Sequence, residues 1–152
     1  MFKYTDTQVT FLEIPDEITL CINISGCPNH CAECHSAYLA EDIGEELTYN
    51  EILRLITLNA GITCIAFMGG DQDPHYVNQC AEVVRLMENA PKIAWYSGKQ
   101  ELSPEIKLKN FDYIKLGPYI SSSGPLNCPT TNQRLYKVVD DKLIDITEKF
   151  WK

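Results

Sequence analysis

Four short, apolar, β-rich runs in this chain each stop at a glycine, and helix-forming segments lie between them. The runs are 18–24, ending at Ser25-Gly26; 62–68, ending at Gly69-Gly70-Asp71; 92–96, ending at Ser97-Gly98; and 112–116, ending at Gly117-Pro118. Strand, glycine loop, helix is the βα unit, and its repetition predicts a parallel α/β sheet with right-handed crossovers. Thr48 is placed to cap a first helix, with Glu51 three residues on and Ile52, Leu53, Leu55, Ile56 and Leu58 at helical spacing, until Asn59-Ala60-Gly61 ends it. A second helix is expected over 74–89 and a third near 103–110. In the tail, 136–139 and 142–145 flank Asp140-Asp141 and read as a hairpin.

At 152 residues the chain fits one domain, 1–152. It is too short for eight βα units, which take about 250 residues, so a partial (β/α) barrel or an open, mostly parallel sheet is expected. In both architectures ligands sit at the carboxyl ends of the strands. The four glycine loops would therefore converge on one rim.

Charge narrows the partners. Twenty-one acidic against 13 basic residues give a net charge of −8 without a Lys/Arg block, which argues against a nucleic-acid partner. No apolar run approaches the roughly 20 residues that span a bilayer, so no membrane partner is expected. Met1-Phe2-Lys3-Tyr4-Thr5-Asp6 lacks the apolar core of a signal peptide, and the cytoplasm is the expected compartment.

The densest chemical signal is cysteine. Three of the seven crowd into Cys27-Pro28-Asn29-His30-Cys31-Ala32-Glu33-Cys34, a C-x3-C-x2-C spacing too tight for a disulfide framework. Three thiolates on one loop suit an iron–sulfur cluster with one open metal position, and an open iron binds substrate directly. A Cys3His zinc module completed by His30 or His35 is the alternative, although zinc motifs usually pair ligands across two separated hairpins. Cys21, Cys64, Cys80 and Cys128 are scattered among apolar or loop positions and are assigned no chemistry.

The loop Ile24-Ser25-Gly26-Cys27-Pro28-Asn29-His30-Cys31-Ala32-Glu33-Cys34-His35-Ser36 resembles that of the radical S-adenosylmethionine superfamily, and more narrowly its small glycyl-radical activases. Thr131-Asn132-Gln133-Arg134-Leu135 is similar to a segment of the anaerobic ribonucleotide reductase activating enzymes. The resemblance spans nearly the whole chain. It implies a 4Fe-4S cluster on Cys27, Cys31 and Cys34 that S-adenosylmethionine chelates through its amino and carboxylate groups. It implies that Gly69, Gly70 and Asp71 stand for a Gly-Gly-Glu type motif beside the methionine amino group, and that Ser97 meets the cofactor's carboxylate or ribose. Glu33 occupies a position where many members carry an aromatic, so His35 becomes the candidate adenine contact; the lead-in Ile14-Pro15-Asp16-Glu17 also lacks the Asp-Gly-Pro-Gly of many activases.

The activity implied is reductive cleavage of S-adenosylmethionine to a 5′-deoxyadenosyl radical. That radical takes hydrogen from a glycine on a large anaerobic ribonucleoside-triphosphate reductase subunit. A one-electron donor such as flavodoxin or ferredoxin would complete the system. A radical enzyme acting on another protein, peptide or small molecule is the nearest alternative.

Overall fold

The computed structural model describes residues 2–26 and 44–151. Among these, ten regular elements follow one another: β1 (Phe2–Thr10), β2 (Thr19–Ile24), β3 (Glu45–Leu47), α1 (Tyr49–Leu58), β4 (Cys64–Met68), α2 (Pro74–Arg85), β5 (Lys92–Tyr96), β6 (Tyr113–Leu116), β7 (Arg134–Val139) and β8 (Lys142–Asp145). The strands form one sheet in the order β3-β1-β2-β4-β5-β6-β7-β8. It is open, with β3 and β8 at its edges.

The expected parallel strands are its centre: β2, β4, β5 and β6 pair in parallel. The expectation of a mostly parallel sheet is corrected, because β1, β3, β7 and β8 all join antiparallel. The result is an α/β fold on a mixed sheet. Parallel strands need both faces covered, and their sequences are accordingly apolar throughout. Leu20, Ile22, Ile24, Ile65, Phe67, Ile93, Trp95 and Ile114 turn one way, under the buried stripes of α1 (Ile52, Leu55, Ile56) and α2 (Val77, Cys80, Ala81, Val84). The opposite face carries smaller side chains, Cys21, Cys64, Ala66 and Ala94, under Ile14, Leu135, Leu126 and Phe150.

Local signals explain the helices. The Thr48 hydroxyl accepts the Glu51 N–H at 3.0 Å to start α1, and Asp73 does the same for Tyr76 ahead of Pro74 in α2. α2 stops at Arg85, four residues short of expectation, as the Leu86 and Met87 amides bond back to Val83 and Val84 and tighten the turn. The helix expected at 103–110 is replaced by turns and a single 3-10 turn, Leu108–Asn110. The physical reason is capture of its backbone: the Lys107 N–H donates 2.9 Å to the Asn78 side chain instead of to its own segment. The hairpin forms as expected, with Asp140 and Asp141 both at positive φ, 51° and 60°.

Candidate functional site

Parallel register sets the carboxyl ends of the central strands side by side. Asn23 lies opposite Met68, Met68 opposite Tyr96, and Tyr96 opposite Lys115. The next residues are, beyond Ile24, Ser25-Gly26, then Gly69-Gly70-Asp71, Ser97-Gly98 and, beyond Leu116, Gly117, so four loops meet on one rim. Gln72 ties the first two together, its side-chain amide donating to the Ser25 carbonyl at 2.8 Å. Cys27, Cys31, Cys34 and His35, with His30 and Glu33, lie outside the described residues. Cys27 follows Gly26 directly in the chain.

Gly69 and Gly70 have φ of +110° and +99°, a region that side chains disfavour. A Cβ on Gly69 would stand 3.1 Å from the Ile24 carbonyl oxygen, and one on Gly70 would meet Val77 at 2.7 Å and the Phe2 ring at 3.2 Å. Close packing of β1, β2 and α2 therefore accounts for both glycines. The Gly69 carbonyl accepts Trp95 Nε1–H at 2.7 Å and the Gly70 carbonyl accepts the Asp73 N–H at 3.0 Å. A carbonyl oxygen has two lone pairs, so each of these two retains the capacity to accept one further donor.

Asp71 and Ser97, 26 residues apart, meet. Ser97 Oγ donates to Asp71 Oδ1 at 2.5 Å, and the Gly98 N–H donates to Asp71 Oδ2 at 2.8 Å. Ser97 Oγ also accepts the Lys99 N–H at 3.0 Å. Both residues are buried, and so is Lys115, whose Nζ donates to the carbonyls of Ser97 at 3.0 Å and Gly117 at 2.9 Å. Gly117 in turn donates its N–H to the Lys99 carbonyl at 2.7 Å, and its carbonyl receives Gln133 Nε2–H at 3.5 Å.

Below this rim, on the face with small side chains, lies a cavity of about 670 Å³. Its lining joins Met68, Tyr96, Lys115 and Gln133 to apolar Phe11, Leu12 and Phe150. Burial pushes the Tyr96 phenol well up and raises the Glu13 carboxyl in the cavity wall, the latter against the pull of Lys115. Tyr96 donates its hydroxyl proton to the Glu13 carbonyl. Burial also pushes the Cys21 and Cys80 thiols up to about 12 and Cys64 higher still, which keeps all three protonated and unreactive.

Sequence reasoning passed over Lys115, and read Gln133 only as part of the segment Thr131-Asn132-Gln133-Arg134-Leu135. Lys115 carried a legible signal, as a lone charge inside the apolar run Tyr113-Ile114-Lys115-Leu116, where an unpaired lysine is rarely buried. Among the described residues no group of three or more His, Cys, Asp or Glu side chains is placed to hold a metal ion, and no helix is long and apolar enough to cross a membrane. Comparison of the chain with known families, curated proteins and solved structures found no match.

Proposed function

We propose that the chain is a radical S-adenosylmethionine enzyme of the glycyl-radical activase kind, acting on the large subunit of an anaerobic ribonucleoside-triphosphate reductase. The observation that carries this reading is positional. The Cys27, Cys31, Cys34 triplet follows the carboxyl end of β2, and the glycine loops after β4, β5 and β6 open onto that same rim. This is where open α/β sheets bind ligands.

In this reading Cys27, Cys31 and Cys34 hold a 4Fe-4S cluster and leave one iron open, with His35 as the adenine contact. When bound, the cluster supplies the electron that splits S-adenosylmethionine, yielding the radical that removes a glycine hydrogen. The chain's own residues bind and orient. The carbonyls of Gly69 and Gly70 receive the methionine ammonium, and the loop bearing Ser97 borders the cofactor's carboxylate or ribose. The open cavity beneath, walled by Met68, Tyr96 and Phe150, offers an apolar surface for the partner's segment. Flavodoxin or ferredoxin is the class of donor that fits a one-electron requirement.

The test begins with anaerobic reconstitution, which should give about four irons per chain with matching sulfide. Cys31→Ser should abolish the cluster while Cys64→Ser and Cys80→Ser keep it. Zinc without sulfide would instead assign the noncatalytic zinc module. The reduced protein should convert S-adenosylmethionine to methionine and 5′-deoxyadenosine. Mixed with the candidate reductase, it should give a glycyl doublet in electron paramagnetic resonance that collapses when the glycine is deuterated. Cofactor cleavage with no doublet on that reductase would remove the partner and move the reading to another protein, peptide or small-molecule substrate.

A further inference from the structure

We propose that Lys115 is a positioning residue that, with Asp71 and Ser97, fixes the loops after β4, β5 and β6 as one frame and so sets cofactor affinity from behind the binding surface. The inference rests on the cofactor reading above and deepens it by separating the groups that hold the ligand from those that hold the loops.

Ser97 decides the matter, because the protein itself engages each of its polar groups. Its N–H donates to the Lys115 carbonyl at 2.9 Å, and its carbonyl accepts Lys115 Nζ–H. Its hydroxyl donates to Asp71 and accepts from Lys99, and the residue is 1% exposed. A side chain so enclosed orders its surroundings. Asp71 reaches across from the β4 loop and takes two donors from the β5 loop. Lys115 stands on β6 and ties the carbonyl of Ser97 in the β5 loop to that of Gly117 in its own.

A buried ammonium on two carbonyls and a buried carboxylate on two donors are charge-assisted contacts, stronger than neutral ones and costly to leave half made. Their geometry makes the three loops move together or not at all. Lys115 therefore acts on the ligand through Ser97 and the Gly117 turn, and the Lys115 cation also lies 5.7 Å over the Tyr96 ring that lines the cavity.

The experiment has two arms on the full chain. In the first, hydrogen exchange followed by mass spectrometry compares the wild type with Asp71→Asn, Ser97→Ala, Lys115→Met and Lys115→Arg. Each substitution, Lys115→Arg least, should speed exchange by about tenfold in both the 97–99 and the 117 segments, the loss expected for one coupling of about 1.4 kcal/mol. A substitution that loosens only its own loop overturns the frame. In the second arm, S-adenosylmethionine affinity is measured by equilibrium dialysis on the anaerobically reconstituted protein, with iron content unchanged throughout. Ser97→Ala and Lys115→Met should each weaken binding about tenfold, and the double variant by no more than the weaker single one. Additive losses would mean separate contacts with the ligand and overturn the proposal. If the wild type binds no S-adenosylmethionine, the cofactor reading fails by itself and the exchange arm still decides whether the frame exists.

Discussion

A Cβ on Gly70 would stand 2.7 Å from Val77 Cγ2, closer than side-chain carbons pack, and the backbone there sits at φ +99°. Gly70→Ala should therefore destabilise the protein by about 1–3 kcal/mol through overpacking and backbone strain together. A urea titration measures this, and Val77→Ala, destabilising by itself at a fully buried site, should cost less on the Gly70→Ala background than on the wild type while the strain remains. The dipeptide was legible in the sequence as a strand-ending turn, but the reason for it was not, since Val77 and Phe2 reach it only through tertiary packing. The Asp71–Ser97 contact was hidden for the same kind of reason. Each residue was picked out separately, and their meeting depends on the β4–β5 register that sets Met68 opposite Tyr96. The proposed cluster ligands Cys27, Cys31 and Cys34 are a pattern of spacing alone, and that is what made them readable.

Elements whose signals are local came through. Thr48 with Glu51, Pro74 at the start of α2, and the Asp140-Asp141 turn each place a cap, a helix start or a positive φ within a few residues, and each forms as its residue types require. β1 and β3 were not anticipated, because Lys3, Thr5, Asp6, Thr7 and Gln8 dilute β1, and only Phe2 and Tyr4 bury their side chains along it. β3 has three residues, two of them exposed glutamates, and exists by pairing with β1. The segment 103–110 went the other way, with a helix-like composition overruled by Asn78. That side chain accepts from the Lys107 N–H at 2.9 Å and the Asn110 amide at 3.2 Å, and it is buried. Asn78→Ala should cost about 1–3 kcal/mol by leaving those donors unmatched. Hydrogen exchange at Lys107 should accelerate while that of α1 does not, which a general loosening would not produce.

The four parallel strands are gripped at both ends, and the two grips differ in purpose. At the carboxyl ends, Asp71, Ser97 and Lys115 tie loops that border the proposed ligand site. At the amino ends a single buried carboxylate does the tying: Glu17 accepts from Lys92 Nζ at 2.8 Å, Thr63 Oγ1 at 2.7 Å and the Tyr113 hydroxyl at 2.7 Å, reaching the starts of β5, β4 and β6. Burial pulls its carboxyl up, yet the hydrogen bonds from Lys92, Thr63 and Tyr113 and the charge of Lys92 prevail and hold it below the ordinary range. A depressed carboxyl stabilises the fold fully above the unfolded-state value and loses that contribution as pH falls through the folded value. Glu17→Gln should thus lower stability by about 1–3 kcal/mol at neutral pH, with the half-exposed Lys92 limiting the loss. It should also flatten the acid limb of the stability profile, since the titrating group is gone. Because this grip lies a strand's length from the rim, S-adenosylmethionine affinity of the reconstituted Glu17→Gln protein should stay within about twofold of wild type, as for sites without shared partners. Urea midpoints taken from pH 7 down to pH 3, beside equilibrium dialysis, separate the two quantities. A variant that lost affinity in proportion to stability would show that the strands transmit strain from one end to the other, and the division between a stabilising end and a binding end would fall.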